Sequence, residues 1–463
     1  MTAFFKSLIG DKAFYKRVFF ITLPILIQNI ITNFVSLLDN IMVGTLGTEQ
    51  MSGVAIINQL LFVFNLCIFG AISGAGIFSA QFHGKGDVKG VRDTLRIKLI
   101  FVGVIAIISE LIFIFFGDEL IRMFLHEGKE DIDIEATFRY AKDYLKVMLV
   151  TFPPFAIMQA YSDTLRSTSE TVLPMKASVV AVSTNACLNA VFIYVLHLGV
   201  VGAALATVVA RFTEFFIVVI WTHTHKEKAP FVVGVYRGFK IPGALMKDVM
   251  VKGFPLLLNE AFWSLGMTAI VNAYSQHGAE VVAAQSISST VSNLFNCAFF
   301  AFGNAVAIIV GQHLGSGNLE KAKQDDKRLL FACVVICTVV GGLMALVAPL
   351  FPMIYNTSDN VKDLAAQLLI ISALFMPVHG FTHSSYFTLR SGGKTIITFI
   401  FDCGFIWAFS YPVAMLLTNF TSLAIIPLYT IVQCVEIVKV VVSVFLLKSG
   451  IWVNNLTEST KKI

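Results

Sequence analysis

The sequence Gln81-Phe-His-Gly84-Lys-Gly86 returns 231 residues later as Gln312-His-Leu-Gly315-Ser-Gly317, with the glutamine and both glycines in place. In the residues before this stretch, the two halves of the chain stay in register. Further along, the offset becomes 224 residues, and Thr164-Leu-Arg-Ser167 falls on Thr388-Leu-Arg-Ser391. Correspondence over this length identifies each half of the chain as a version of one structural unit.

The composition of the chain requires a membrane. Of its 463 residues, 56% are apolar and only 14% are charged, and the mean hydropathy is +0.79. A water-soluble protein cannot bury that much apolar surface. The net charge of +5 is divided among loops and forms no single basic patch, so we expect no nucleic-acid partner. The seven cysteines all lie in apolar segments and indicate no disulfide framework.

Each half is long enough for six spans, because a spanning helix needs about 20 mainly apolar residues. The sequence therefore predicts an all-α polytopic membrane protein with twelve transmembrane helices in two six-helix repeats. The predicted spans are 18–43, 52–80, 97–117, 140–162, 172–196, 199–222, 249–274, 282–310, 329–352, 365–388, 395–417 and 422–447. The first apolar segment is too long for a signal-peptide core, so we expect a span there.

The distribution of basic residues predicts the orientation of the spans. Lysine and arginine concentrate after the even-numbered spans, whereas the longest of the alternate loops, 118–137, is acidic. Under the positive-inside rule both termini are cytoplasmic, and we expect the plasma membrane as the location. Since each half has an even number of spans, the repeats share one orientation. We predict an N-terminal lobe (1–225), a cytoplasmic linker (226–248) and a C-terminal lobe (249–463).

Charged and amide side chains inside the predicted spans need an explanation, because a charge at the bilayer centre costs about 2.5–3.5 kcal/mol on insertion scales. Asp39 lies in the outer part of span 1. It is either an interfacial carboxylate, which would oppose the helix dipole, or a carboxylate that binds a cation or proton in a cavity. Asn185 and Asn189 lie one turn apart in span 5. They either bond neighbouring helices or join Asp39 around a hard cation such as Na⁺.

The second half carries two further acids, Glu260 in span 7 and Asp402 in span 11. A carboxylate at that depth must be paired, hydrated or protonated, and we expect both to line a cavity. The other predicted cavity residues are polar: Gln28, His379, His383 and Tyr386. His379 and His383 have the spacing of a metal pair, but no cysteine or carboxylate accompanies them, so we expect no metal site beyond a Na⁺.

Two pairs of opposite charges occur three residues apart within single spans. Arg211 and Glu214 lie in span 6, and Glu436 and Lys439 lie in span 12. Residues three apart are neighbours on a helix surface, so each pair can neutralise itself locally. We expect two structural ion pairs.

These residues together resemble the multidrug and toxic compound extrusion (MATE) family over essentially the whole chain. The most specific part is Pro24, fifteen residues before Asp39-Asn-Ile-Met-Val-Gly44, followed by Gly47. Gly202-Ala-Ala-Leu-Ala-Thr207 in span 6 is also similar to the family pattern. The resemblance implies export of amphipathic, often cationic compounds in exchange for Na⁺ or H⁺. It places the chain nearest the bacterial DinF-like branch.

The resemblance also implies a coupling-cation site at Asp39, Asn185, Asn189 and Thr207. Some relatives have an aspartate where this chain has Asn189, so a proton relay built on two carboxylates is in doubt. Some relatives use acids in spans 7 and 10. Glu260 is similar to the first of these, but span 10 offers only histidines.

The expected mechanism is alternating access by two lobes, with helices kinked at Pro24 and Pro255. We expect an amphipathic, cationic small-molecule substrate, no cofactor besides the coupling ion, and a functional monomer in the bilayer. The alternatives are a lipid-linked oligosaccharide flippase, which needs basic side chains to hold a pyrophosphate, a channel, and a membrane-embedded enzyme. No catalytic constellation favours the enzyme.

The repeat is not symmetric in its ionisable residues. Asp39 falls on Ile270 and Glu260 falls on Asn29. The sequence therefore predicts that cation coupling belongs to the N-terminal lobe, with Glu260 as a separate contribution of the C-terminal lobe.

Overall fold

A computed structural model of the protein describes residues 8–125, 133–238 and 241–459, which form helices and turns without a strand. The helices of the first half are Lys12–Gly44 (α1), Thr48–Lys85 (α2), Val88–Phe124 (α3), Ile134–Met148 (α4), Phe152–Ser167 (α5), Val172–Asn189 (α6) and Gly199–Thr224 (α7). Those of the second half are Gly243–Ser275 (α8), Ala279–Gly315 (α9), Leu319–Val347 (α10), Asp359–Ser391 (α11), Thr395–Phe399 (α12), Tyr411–Phe420 (α13), Ile425–Lys448 (α14) and Leu456–Ser459 (α15).

Eleven helical segments of the described chain are long and apolar enough to cross a membrane. The predicted all-α membrane class is confirmed. The fourth predicted span, 140–162, differs from the prediction because a 3₁₀ turn at Leu149–Thr151 divides it into α4 and α5. Pro153 and Pro154 lie at the start of α5, where the missing N–H group is tolerated. Residues 126–132 of the acidic loop lie outside the described residues.

Three stretches widen into π-helix. Ala190–Val195 continues α6 directly after Asn189, and Ile400–Gly404 and Ile406–Ser410 join α12 to α13. Asp402 lies within the second stretch. Single π-turns frequently mark functional sites, because the wider turn redirects side chains. By contrast, α1 and α8 continue through Pro24 and Pro255, and the predicted kinks there stay predictions.

Contacts group the chain into two units. Unit 1 consists of Met1–Leu26, Ala80–Gly86 and Met250–Ile463, and unit 2 of Ile27–Ser79 and Asp87–Val249. Helices α1, α2 and α8 therefore contribute residues to both units. The lobe boundaries expected from the repeat stay a prediction.

Unit 1 is built on the apolar faces of α9, α10 and α11. Val18, Ile21 and Ile25 of α1 join this core. The Gln81 side chain donates to the carbonyl oxygen of Ser391 at 2.9 Å and accepts from the backbone N–H of Leu456 at 2.8 Å. The repeated glutamine thus fastens the C-terminal segment to the end of α11.

Unit 2 includes the described part of the predicted linker. Arg92 and Arg96, near the start of α3, donate to the carbonyl oxygens of Phe231 at 3.2 Å and Val235 at 2.8 Å. These bonds satisfy backbone carbonyls that a free loop would leave to water. The described part of the linker is therefore folded within unit 2. Its residues 239–240, including the basic Lys240, lie outside the described residues.

Candidate functional site

Asp39 lies in unit 2, near the end of α1, where two carboxamides from one face of α6 reach it. Asn189 Nδ2 donates to Asp39 Oδ1 at 2.7 Å and lies 3.3 Å from the Asn185 carboxamide. Asn185 and Asn189 are buried, and Asp39 is half-buried. A hydrogen bond to an ionised acceptor is about twice as strong as a neutral one. The structure thus brings together the acid and both amides predicted from the sequence.

Thr207 of α7 completes the predicted set. Its Oγ1 lies 3.2 Å from the Asn185 carboxamide, on the side away from Asp39. The four residues that the resemblance implies therefore lie together, and they come from three separate helices.

The Asn185 carboxamide satisfies its neighbours with its nitrogen toward Asp39 and its oxygen toward Thr207. With its nitrogen toward Asp39, it donates to both carboxylate oxygens at 2.8 Å and accepts from the Thr207 hydroxyl at 3.2 Å. With its oxygen toward Asp39, the 2.8 Å contacts bring acceptors against acceptors. Only a proton or a metal cation between those oxygens can stabilise the second orientation. An ionised carboxylate with no bound cation requires the first.

Asn189 carries an unsatisfied oxygen. Its side chain is 1% exposed, and Oδ1 has no hydrogen-bond partner within the described chain. Leaving a buried polar atom unpaired costs roughly 1–3 kcal/mol. A ligand that brought a positive charge or a donor to this oxygen would recover that cost.

The sequence did not indicate Tyr144 of α4. Its buried side chain interacts electrostatically with Asp39, Arg211 and Thr207. No feature of the sequence around Tyr144 distinguishes it from the other aromatic residues. Only the packing of α4 against α7 reveals it.

The acids predicted to line a cavity in the second half lie in unit 1. Asp402 Oδ1 accepts from Lys439 Nζ at 2.8 Å, and Asp402 Oδ2 accepts from Asn259 Nδ2 at 3.1 Å. The predicted Glu436–Lys439 pair was wrong in its partner, because Lys439 of α14 reaches across to the π-helical turn that holds Asp402. Glu260, on α8 beside Asn259, interacts electrostatically with Asp402.

Three of the four predicted polar lining residues are hydrogen-bonded to protein partners, whereas His383 packs among aromatic rings and its buried Nε2 has no hydrogen-bond partner within the described residues. His379 Nε2 lies 3.0 Å from Gln433 Oε1, and Tyr386 Oη accepts from Asn259 Nδ2 at 3.4 Å. The His383 ring lies 5.2 Å from that of Phe299 and 5.1 Å from those of Phe300 and Phe387. In unit 2, Gln28 Oε1 accepts from Arg166 at 3.1 Å. No group of three metal-ligating side chains occurs within the described ranges.

The predicted pair in span 6 is confirmed. Arg211 Nη1 lies 3.3 Å from Glu214 Oε2 on α7. Both residues follow Thr207 on the same helix. This pair is therefore next to the Asp39 cluster, which consists of Asp39, Asn185, Asn189 and Thr207.

The chain is similar to known transporters along most of its length. A family model described as MatE matches residues 24–191 and 255–416. The probable multidrug resistance protein YoeA of Bacillus subtilis is 22% identical over 412 residues, which is 87% of each chain. The probable multidrug resistance protein NorM of Thermotoga maritima is 25% identical over 417 residues, covering 89% of this chain and 87% of its own.

Solved structures share the fold. The outward-facing conformation of a multidrug resistance MATE family transporter of the MOP superfamily has a TM-score of 0.87 at 20% identity, covering 99% of this chain and 98% of its own. A MOP superfamily transporter from Pyrococcus furiosus has a TM-score of 0.85 at 20% identity, covering 96% of this chain and 97% of its own. These likenesses confirm the predicted architecture of two repeated helical halves.

Proposed function

Since the chain belongs to the MatE family, whose members are membrane transporters and not enzymes, we propose that it is an antiporter coupled to Na⁺ or H⁺. It exports amphipathic small molecules, organic cations among them. Both termini face the cytoplasm, the chain works as a monomer in the plasma membrane, and no cofactor takes part besides the coupling ion.

The Asp39 cluster is the observation that carries this proposal. A carboxylate in an apolar helix is bound by two carboxamides, and one of these retains an unsatisfied buried oxygen. Carboxylate, carbonyl and hydroxyl oxygens suit a hard cation such as Na⁺, and the carboxylate alone suits a proton. In either case, turning the Asn185 oxygen toward Asp39 accompanies binding, because the bound positive charge removes the repulsion between acceptors.

Cation binding drives transport by changing which conformation is stable. A ligand shifts a conformational equilibrium only by its differential affinity for the two states. Asp39 and Asn189 lie on different helices, α1 and α6, so relative movement of these helices changes the number of ligands around the cation. Pro24, in the same helix as Asp39, lowers the cost of bending α1 because it removes a backbone hydrogen bond.

The flippase alternative requires basic side chains that are available to hold a pyrophosphate. Lys439 is bound to Asp402, and Arg211 is bound to Glu214. Each of these two cations therefore has a carboxylate partner of its own. Export coupled to a cation is the better explanation.

The test is accumulation of ethidium in inside-out membrane vesicles that contain the protein. Na⁺ and H⁺ gradients, each higher in the lumen, are imposed separately. We expect one gradient to drive accumulation against the dye gradient and the other to have little effect. Equal accumulation with and without either gradient would overturn cation coupling, and dye movement only down its own gradient would indicate a channel.

A further inference from the structure

Arg211 occupies the helix face next to the Asp39 cluster. It follows Thr207 by four residues and precedes Glu214 by three, so all three side chains lie along one face of α7. The Arg211 guanidinium lies over the Phe155 ring, 4.7 Å from its centroid. It also interacts electrostatically with Asp39. A permanent positive charge therefore lies one helical turn from Thr207 of the site and acts electrostatically on Asp39.

The contact between Arg211 and Glu214 is a weak example of an arginine–carboxylate ion pair. A guanidinium has five N–H groups and binds a carboxylate best through two parallel bonds. Here one contact of 3.3 Å joins Nη1 to Oε2, and the Arg211 side chain is 38% exposed. Within the described residues, the Arg211 side chain makes no other hydrogen bond. Most of its donors remain available for a second acceptor.

Glu214 does not depend on Arg211 alone. Its side chain is 6% exposed, so an unpaired charge there would be costly. Arg166 of α5 interacts electrostatically with Asp163 and, more weakly, with Glu214 on another helix. If Arg211 moved toward Asp39, Glu214 would keep a compensating charge.

Asp39 needs such a charge once the coupling ion leaves. An ionised carboxylate in a membrane span is unfavourable unless a cation or donor accompanies it. Arginine stays protonated in proteins, so it can neutralise Asp39 at any physiological pH. We propose that Arg211 is a built-in counter-cation that pairs with Asp39 when the coupling ion is absent and returns to Glu214 when the ion binds.

This proposal rests on the proposed role of Asp39 and makes Arg211 a determinant of ion affinity. The coupling ion must compete with a tethered cation for one carboxylate. Removing Arg211 therefore tightens ion binding and slows ion release. Removing the charge of Glu214 has the opposite effect, because Arg211 then has only Asp39 to neutralise.

The experiment measures the luminal ion concentration that gives half-maximal ethidium accumulation, in the same vesicles and with the ion that drives the wild type. We expect Arg211→Met to lower this concentration on the order of tenfold, a usual size for coupling between sites, and to reduce the maximal rate. Arg211→Lys, which keeps the charge, gives a smaller shift. Glu214→Gln raises the half-maximal concentration.

Opposite shifts from the two members of one ion pair distinguish this role from a structural one, which would move both variants in the same direction. Expression and size-exclusion profiles in detergent confirm folding, and Arg211→Gln replaces the methionine variant if that one does not fold. Unchanged or parallel shifts would overturn the proposal while ion-driven transport by the wild type stands. Loss of ion dependence in the wild type itself would instead overturn the proposed function.

Discussion

Gly315 packs directly on the backbone of Gln81. A Cβ atom on Gly315 would lie 1.9 Å from the carbonyl oxygen of Gln81, and one on Gly84 would lie 1.9 Å from that of Gln312. These four residues are related by the 231-residue repeat. Within unit 1, the ends of α2 and α9 therefore meet at equivalent positions, so close that only glycine fits. The two copies of the repeated motif, 81–86 and 312–317, therefore contact each other within unit 1.

Gly315→Ala tests this contact. The added methyl group meets backbone atoms, which cannot rotate away, so the helices must separate. Overpacking typically costs about 1–3 kcal/mol, and we expect a lower midpoint of thermal unfolding in detergent. Gly342→Ala on α10 is the matched control, because its Cβ meets no atom within 4 Å. Equal midpoints for both variants would contradict the close approach.

The Asp402–Lys439 pair predicts non-additive stability changes. The side chains are 18% and 8% exposed, so removing one partner leaves a largely buried charge. We expect Lys439→Met alone to cost about 3–5 kcal/mol, and Asp402→Asn with Lys439→Met together to cost less than the lysine substitution alone. Thermal unfolding of the two single variants and the double variant measures this. A double variant no more stable than Lys439→Met would show that the pair is not the relevant interaction.

Asn189→Leu distinguishes the two coupling ions. Leucine keeps the volume but removes the donor to Asp39 and the unsatisfied oxygen. If Na⁺ is the ion, it loses a ligand, and the half-maximal Na⁺ concentration for ethidium accumulation rises. If H⁺ is the ion, the ionised carboxylate loses a stabilising donor, and a lower proton concentration suffices. No change in either profile would exclude Asn189 from the site, and Ser183→Ala, on the same helix, serves as the control.

The sequence predicted the parts of the site that are repeated, periodic or similar to the family. Asn185 and Asn189 could be paired because residues four apart share a helix face, and Thr207 followed from the family resemblance. Tyr144 and the true partner of Lys439 could not be predicted, because both contacts join helices distant in the sequence. The i,i+3 rule favoured Glu436 for Lys439, but the π-helical turn that holds Asp402 has no clear signature in the sequence.

The fold class was predicted, and apart from the π-helical turns the main local difference lies in the fourth predicted span. Hydropathy predicted residues 140–162 as one continuous helix, because the apolar run is not interrupted at Leu149–Thr151. The break into α4 and α5 arises because two consecutive prolines require a helix start rather than a helix interior. The short α4 is what positions Tyr144 against Thr207.

Ion-driven ethidium transport by Asp39→Asn decides whether Asp39 couples transport to the ion. It is measured in proteoliposomes, with reconstitution matched to the wild type. We predict that transport by the wild type rises with the gradient of its coupling ion and that the variant loses this dependence. Glu110→Gln, which removes an acid of α3 outside the cluster, should retain it. Full ion-dependent transport by Asp39→Asn would contradict the assignment of coupling to Asp39.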